Sequence, residues 1–245
     1  MSPLLRRWNA LKDHLSHDVG GGPRPFRFAT VINAQKGLMM PWTLFLMWVT
    51  GTWTPTMWTY VALHGTYGLC WLLKEATFPD PGWQRPVTIG GALFSWLAVL
   101  GPYALFPVLI VAEGHEAPQW LLAWATVQHT LGVVIMMGAD AQKYFVLKAR
   151  RGLITDGFFA RVRHPNYLGE MMLYGAFALV VGHWFPWAVL AWVWLGVFVP
   201  NMLAKEASMS RYPEWAAYAA RTGFLLPRLG PATSAAAAAP SPQEG

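Results

Sequence analysis

Six apolar stretches take up almost half of this chain, and each is close to the length that a helix needs to cross a bilayer. They cover residues 33–52, 56–73, 88–111, 119–138, 167–183 and 185–203. About 20 residues of helix span the roughly 30 Å hydrocarbon core. Charged residues make up only 12% of the chain, about half of what soluble domains carry. We therefore predict an all-α fold, a polytopic membrane protein of about six transmembrane helices with a cytoplasmic cofactor pocket.

The positions of the basic residues test this topology. Of the 18 Lys and Arg, six precede or begin the first stretch, two lie between the second and third, six between the fourth and fifth, and four follow the sixth. The turns at 51–55, 112–118 and 183–186 contain none. Because loops rich in Lys and Arg stay in the cytoplasm, an even number of spans with both termini cytoplasmic is predicted.

The chain divides into three regions on this reading. Residues 1–32 form a polar, basic cytoplasmic segment, whose His14 and His17 we expect to be mobile. Residues 33–229 form the membrane-embedded catalytic domain, with the cofactor-binding part at 138–228. Residues 230–245 are rich in Ala, Pro and Ser and are predicted to be a disordered tail. No metal site is expected, and nucleic acid is not expected as a partner.

The stretch from Asp140 to Glu170 carries the most chemical information. Pro165 stands where the fifth apolar stretch begins, a position that the first turn of a helix tolerates. Asn166 and Glu170 are four residues apart and share one helix face. A carboxylate at membrane depth is costly and marks a functional site by default. Exposed N–H groups at a helix start favour an anionic ligand, so we predict an electropositive hollow of nucleotide size here.

The motif R-H-P-N-Y-L-G-E, preceded by D-A-Q-K and followed by K-E-A-S-M-S-R-Y-P-E-W-A-A-Y, resembles the steroid 5-alpha-reductase C-terminal-like superfamily. That group is similar in this region to the isoprenylcysteine carboxyl methyltransferases, and the match is best with uncharacterised bacterial members. The resemblance implies an integral protein of the bacterial inner membrane. It also implies a cofactor held by these elements, either NADPH as in the reductases or S-adenosylmethionine as in the methyltransferases.

Charge favours NADPH between these two cofactors. Its pyrophosphate and 2′-phosphate need several cations or helix starts, whereas S-adenosylmethionine is a zwitterion and needs fewer. No G-x-G-x-x-G motif follows a strand, so a dinucleotide would bind in a helical pocket. The predicted cofactor-binding residues are Asp140, Lys143, Lys148, Arg161, Arg163, His164, Asn166, Tyr167, Glu170, Glu206, Arg211, Tyr212 and Tyr218.

The second apolar stretch carries a polar stripe at helical spacing that we expect to face a cavity. In the reductases that the motif resembles, a Tyr and a Glu polarise a substrate carbonyl. The resemblance makes Tyr67 the candidate donor, tuned by Glu75 or His64. Bonding of Tyr67 and His64 to neighbouring helices alone is the other interpretation.

Three functions remain open. The first is an NADPH-dependent reductase of a C=C bond in a lipophilic substrate, such as a steroid, an enone or a polyprenoid, that enters from the bilayer. The second is an S-adenosylmethionine-dependent methyltransferase acting on a lipid amine or a prenylcysteine carboxylate. The third is a lipid-binding membrane protein without enzymatic activity. The partners expected are a lipophilic small molecule and membrane lipid.

Overall fold

The computed structural model describes residues 2–228, and within this range the protein is almost entirely helical. Ten α-helices follow one another along the described chain: α1 (Pro3–His17), α2 (Phe28–Thr50), α3 (Pro55–Thr77), α4 (Ile89–Ser95), α5 (Leu105–Glu113), α6 (Gln119–Ala149), α7 (Pro165–Val181), α8 (Trp184–Val193), α9 (Val199–Met209) and α10 (Trp215–Arg221). The tail predicted at 230–245 lies outside the described residues. The predicted all-α class is confirmed.

All six predicted apolar stretches are helical. The third and sixth are continuous paths made of two helices each, α4 with α5 and α8 with α9, joined through wide turns near Pro102 and Pro200. Proline cannot donate a backbone hydrogen bond, and both paths continue as helix beyond it. Within residues 2–228, three paths are long and apolar enough to cross a membrane: Ile89–Glu113, Gln119–Ala149 and Trp184–Met209. This is a membrane protein.

The outer surface has the character of a lipid-facing one. Leu97 and Leu195 are 72% and 69% exposed on the third and sixth paths. Trp120 and Trp184 stand at the starts of α6 and α8, and each is 70% exposed. Tryptophan at such positions is typical of membrane–water interfaces. Large apolar side chains exposed in this number fit contact with lipid.

The prediction of a mobile N-terminal segment is wrong. Residues Pro3–His17 form α1, whose start is capped by Ser2, and His17 is buried. The indole N–H of Trp8 donates to the carbonyl of Gly196 at 2.7 Å, and Arg85 Nη1 lies 2.7 Å from Asp13 Oδ1. That bond from Arg85 holds the pKa of the Asp13 carboxyl below its usual value. The sequence does carry a helical signal here, since Leu4, Trp8, Leu11 and Leu15 recur at helical spacing after Ser2 and Pro3. These long-range contacts add what fixes α1 to the bundle.

Two short strands close the same end of the molecule. Residues Phe26–Arg27 pair antiparallel with Pro86–Val87, so that Phe26 faces Val87. This pairing ties the segment before α2 to the loop before α4. Together with α1 and α10 it forms the loop-rich end of the helix bundle, as opposed to the short turns at the other end.

Close backbone contact joins α6 and α7 at the centre of the bundle. A Cβ on Gly169 would lie 2.5 Å from the carbonyl oxygen of Gly132 and 2.6 Å from the backbone nitrogen of Met136. Only glycine fits at this distance, and small residues at helix crossings are typical of membrane proteins. Gly169 of the R-H-P-N-Y-L-G-E motif therefore sets how closely α7 approaches α6, and thereby where the polar residues beside it lie.

The hairpin predicted near His183–Pro186 is confirmed. Helix α7 ends at Val181, Gly182 takes a left-handed conformation with φ of +67°, and α8 begins at Trp184. The side chain of His183 accepts the backbone N–H of Phe185 at 3.0 Å, which satisfies a donor at the start of α8.

Candidate functional site

A cavity of about 550 Å³ opens within the loop-rich half of the bundle. Its walls come from α1, α2, α4, α7 and the α8–α9 path, with Trp71 of α3, Asp140 of α6 and the loop after α3. Pockets of this size accept small molecules and cofactors. The wall between the third and sixth paths is apolar and is formed by Phe94, Val99, Trp192, Val193 and Val197. The other wall carries the polar and charged residues described below.

The polar residues at the start of α7 lie at this cavity, where the sequence predicts a hollow. Asn166, Tyr167 and Glu170 all line it. The Tyr167 hydroxyl accepts a hydrogen bond from Lys205 Nζ at 3.2 Å, which links α7 to α9. Within residues 2–228, the Asn166 amide and the Glu170 carboxylate form no hydrogen bond or ion pair. These two groups are therefore available to a bound molecule.

A buried lysine stands at the inner end of the cavity. Lys36 of α2 is 3% exposed, and its Nζ donates to the hydroxyl of Tyr174 on α7. The Nζ lies 4.8 Å from the ring centre of Tyr67 and 5.0 Å from that of Tyr174, with Trp71 and Tyr103 at 5.5 and 5.8 Å. Aromatic faces attract a cation, so they hold the amine in an otherwise apolar place.

The three predicted catalytic residues of α3 lie apart from the cavity. The Tyr67 hydroxyl is 3.2 Å from the Tyr174 hydroxyl, but Tyr67 is fully buried behind it. His64 Nδ1 pairs with the Tyr60 hydroxyl at 2.8 Å, and its ring stacks on Phe177. Glu75 Oε1 accepts from Gln84 Nε2 at 2.6 Å. The structure brings Tyr67 close to the site through Tyr174, and it gives His64 and Glu75 other partners.

A second cavity of about 390 Å³ adjoins the first and shares Asp80 and Asp140 with it. The predicted residues Asp140, Lys143 and Lys148 all line it. Lys74 Nζ lies 3.2 Å from Asp140 Oδ2 in a pair that is almost completely buried. Lys143 Nζ lies 3.4 Å from Asp80 Oδ2. These two ion pairs stand between the cavities.

Asp80 shows how the loop after α3 is held. Burial by itself raises the pKa of its carboxyl, but Lys143 and the N–H of Gly82 outweigh this and keep the pKa below its usual value. The Gly82 N–H donates to Asp80 Oδ1 at 2.8 Å. Asp80 therefore stays ionised and fixes the loop across the boundary of the two cavities.

The charges of the two cavities differ. The first carries four basic side chains, Lys12, Lys36, Arg85 and Lys205, and four acidic ones, Asp13, Asp80, Asp140 and Glu170. It is balanced, whereas we predicted an electropositive hollow. The second contributes three further basic side chains, Lys74, Lys143 and Lys148, and no further acidic one. Positive charge is thus concentrated on the side of the second cavity.

Arg163, His164 and Glu206 form a cluster under the start of α7. Arg163 Nε and His164 Nε2 both lie 2.9 Å from Glu206 Oε1. Arg163 Nη1 also donates to the carbonyl of Thr222 at 2.7 Å. Burial, with help from nearby Lys205 and Arg163, lowers the pKa of His164 to about 3. The cluster fixes α9 and the C-terminal segment to α7 and does not line either cavity.

The remaining predicted residues lie outside both cavities. The Tyr218 hydroxyl donates to the carbonyl of Phe159 at 2.8 Å, which secures α10. Burial raises the pKa of Tyr218 to about 12. The side chain of Arg161 is exposed. Arg211 Nη2 donates to the Tyr212 hydroxyl at 3.3 Å on the turn after α9. The segment after α9 therefore packs against the base of α7 rather than over the cavity.

Several site residues were missed by the sequence analysis. Lys36 was counted among the basic residues of the N-terminal segment, although it lies nine residues into α2. A lysine inside an apolar helix is by itself a signal of function. Tyr174, Tyr103 and Asp80 carry no such signal, since a buried tyrosine or a loop aspartate is common. Only the packing of the helices brings them together.

Comparison with known proteins places this chain among membrane proteins of one family. Residues 91–222 match the family described as "Protein of unknown function (DUF1295)". The chain belongs to this family. The match covers most of α4 and all of α5 to α10. It therefore includes the start of α7, the cluster around Glu206 and about half of the residues that line each cavity.

Two proteins of Schizosaccharomyces pombe are similar to parts of the chain. The uncharacterized protein C594.04c is 33% identical over 93 residues, which cover 36% of this chain and 27% of that protein. The uncharacterized protein C7D4.09c is 41% identical over 66 residues, which cover 27% of this chain and 20% of that protein. The chain thus matches about a quarter of the length of these relatives.

Proposed function

We propose that this protein is an NADPH-dependent reductase of a C=C bond in a lipophilic substrate, within the steroid 5-alpha-reductase C-terminal-like superfamily. The observation that carries the proposal is the buried Lys36–Tyr174 hydrogen bond at the inner end of the cavity. Reduction of a C=C bond needs a hydride and a proton, and a phenol backed by an amine is suited to deliver the proton. Transfer of a methyl group needs no such donor.

The shape and charge of the two cavities fit a dinucleotide. A dinucleotide has an uncharged nicotinamide end and a phosphate-bearing end, and the cavities offer a charge-balanced half and a basic half that meet at Asp80 and Asp140. The unpartnered Asn166 and Glu170 would hold the nicotinamide end, and Lys143 and Lys148 the phosphates. When bound, NADPH would supply the hydride. Asp140 Oδ1 is buried and has no hydrogen-bond partner within residues 2–228, although Lys143 Nζ lies 3.8 Å away, so it is a further acceptor at the junction.

The apolar wall suggests how the substrate enters. Phe94, Val99, Trp192 and Val197 separate the cavity from the lipid-facing surfaces of the third and sixth paths. A lipophilic molecule could pass between these paths and reach Tyr174 without leaving the bilayer. By the positive-inside rule, the loop-rich end and both termini would face the cytoplasm, where NADPH is available.

One observation favours the methyltransferase as a second candidate. The first cavity has as many acidic as basic side chains, and this balance suits S-adenosylmethionine, whose amino acid part carries both charges. The Glu170 carboxylate would then lie beside a positively charged group of S-adenosylmethionine rather than beside the nicotinamide of NADPH. A lipid-binding protein without activity remains the outcome if neither cofactor binds.

Ligand-induced stabilisation separates these functions. The purified protein is heated in detergent with NADPH, NADH, S-adenosylmethionine or S-adenosylhomocysteine. A ligand present at 100 times its Kd stabilises the folded state by about 2.7 kcal/mol. NADPH should raise the melting temperature and the methyl donor should not. The reverse result would replace the reductase by the methyltransferase, and no response to either would leave the lipid-binding protein.

Two variants and a control locate the binding. Asn166→Ala and Glu170→Ala should both abolish the NADPH response. Asn166→Ala should leave the ligand-free melting temperature nearly unchanged, because its side chain has no hydrogen-bond partner within residues 2–228. Glu170→Ala should lower that temperature, because Glu170 attracts the buried Lys36 amine electrostatically. Arg211→Ala is the matched control, since its side chain lies outside both cavities. Unchanged NADPH stabilisation in both cavity variants would show that the cofactor does not bind here.

A further inference from the structure

The hydroxyl of Tyr174 has an unusual set of neighbours. It accepts a hydrogen bond from Lys36 Nζ, and the Tyr67 hydroxyl lies 3.2 Å away. Among the described residues, the Tyr67 hydroxyl has no other hydrogen-bond partner. Either hydroxyl can donate in this contact, so Tyr67 becomes the donor to Tyr174 when a molecule in the cavity takes the Tyr174 O–H. A phenol oxygen with two donors on its lone pairs keeps its own O–H for a third group. Tyr174 and Lys36 both line the cavity and Tyr67 does not, so that third group is a bound molecule.

Lys36 is held where it can serve this oxygen and little else. Its stem is buried, and four aromatic rings surround its amine. Its nearest opposite charge is Glu170, which also lines the cavity and attracts it electrostatically. A lysine costs several kcal/mol at membrane depth. Simple packing of α2 against α7 would not require such a residue.

We propose that Tyr174 is the proton donor of the reaction and that Lys36 is the positioning residue that restores its proton. This assignment rests on the proposed reductase function. The electron pair of the incoming hydride forms one new C–H bond. The π pair of the C=C bond moves to the far end of the conjugated system, where the carbonyl oxygen takes the proton of the Tyr174 O–H. The resulting enol then tautomerises to the saturated carbonyl product. The phenolate then takes a proton from Lys36 Nζ, and solvent water reprotonates Lys36.

The assignment differs from the one that sequence favours. Tyr67 was the expected donor, but it is fully buried and does not line the cavity, whereas Tyr174 does. Tyr67 instead supports Tyr174 by donating to its oxygen. Tyr103 is the competing donor, because it lines the cavity and its ring centre lies 5.0 Å from that of Tyr174. The Lys36 amine lies over the Tyr103 ring and donates to the Tyr174 oxygen instead.

The test compares Tyr174→Phe, Lys36→Met and the matched control Tyr103→Phe in lipid nanodiscs. Two bilayer-soluble enones, farnesal and cholest-4-en-3-one, serve as probes, and NADPH oxidation is followed at saturating NADPH. Tyr174→Phe should lower kcat by about 100-fold or more, the usual effect of losing a general acid. Tyr103→Phe keeps the aromatic ring beside Lys36 Nζ and should therefore lower kcat far less than Tyr174→Phe does.

Lys36→Met is read by a different signature because it acts through Tyr174. Its kcat should fall by roughly tenfold or more while the KM for NADPH changes less than about twofold. The solvent deuterium isotope effect on kcat should rise, since return of the proton to Tyr174 becomes slow. If Lys36 had only a structural role, its loss would leave the solvent isotope effect unchanged. It would also not lower kcat while leaving the KM for NADPH unchanged.

A cofactor-binding measurement keeps the two proposals apart. All three variants should keep the stabilisation by NADPH that the wild type shows. If the wild type is not stabilised by NADPH, the reductase function and this assignment both fail. If it is stabilised but reduces neither enone, or if Tyr103→Phe is inactive and Tyr174→Phe is active, this assignment alone is wrong. If Tyr174→Phe elutes aggregated, the kcat and isotope effect of Lys36→Met decide.

Discussion

The ion pair between Lys74 and Asp140 allows a quantitative test of the structure. The Lys74 side chain is 2% exposed and that of Asp140 is 8% exposed, and Nζ and Oδ2 are 3.2 Å apart. At this distance, with an effective dielectric constant of about 20, the attraction is about 5 kcal/mol. Removing one partner leaves a buried charge alone, which typically costs about 3–5 kcal/mol. Asp140→Asn should therefore be strongly destabilising.

The assay is thermal unfolding of the purified protein in detergent. A chain of this size loses about 2–4 °C of melting temperature per kcal/mol, so Asp140→Asn should melt roughly 10 °C below the wild type. The double variant Lys74→Met with Asp140→Leu should recover most of that loss. Replacing both members of a buried pair by apolar residues is often neutral or stabilising.

The pair of Lys143 with Asp80 is the matched control. Its atoms are 3.4 Å apart, nearly as close, but the two side chains are 28% and 27% exposed. Solvent screens such a pair, so Asp80→Asn should cost at most about 1 kcal/mol. Equal effects of Asp140→Asn and Asp80→Asn would refute the reasoning, because burial would then not control the strength of these pairs.

Three further predictions follow from the packing and from the pKa of one histidine. Gly169→Ala should destabilise the protein by roughly 2 kcal/mol because its Cβ would overlap the α6 backbone. Gly37→Ala in α2 is the control: its Cβ would lie 3.6 Å from its nearest neighbour, so this variant should be neutral or gain about 0.5–1 kcal/mol of stability. Similar melting temperatures of the two variants would contradict the close crossing of α6 and α7. His164 has a folded-state pKa of about 3, below the usual 6.5 or so of the unfolded chain. The unfolded chain therefore binds more protons between these values, and stability should fall as the pH is lowered through this window. His164→Gln should reduce the loss of unfolding free energy between pH 7 and pH 5 by about 2 kcal/mol; an unchanged pH dependence in denaturant titrations would contradict burial of a neutral imidazole. Trp8→Phe removes the donor to Gly196 and should make limited proteolysis within α1 faster; equal cleavage rates would show that α1 is held by other contacts.

The sequence by itself determined the helices and part of the site. The six apolar stretches contain no internal charge clusters. In a membrane, their backbone N–H and C=O groups can all form hydrogen bonds if each stretch is a helix. Pro165 fixed where α7 begins, and the four-residue spacing placed Asn166 and Glu170 on one face. These are local properties, and helix geometry alone converts them into position.

Tertiary structure decided which residues share the site. Lys36 and Tyr174 are 138 positions apart and meet because α2 and α7 both pack against α3. The same packing buried Tyr67 beside Tyr174. It also paired Arg163 with Glu206, so that Arg163 does not line the cavity where a phosphate was expected. It also made α1 a wall of the cavity. The apolar face of α1 indicates that the helix packs on something, but only the tertiary structure shows on what. Contacts between distant segments depend on how closely the helices cross, which glycines such as Gly169 determine. No local sequence pattern specifies which helices cross at these glycines.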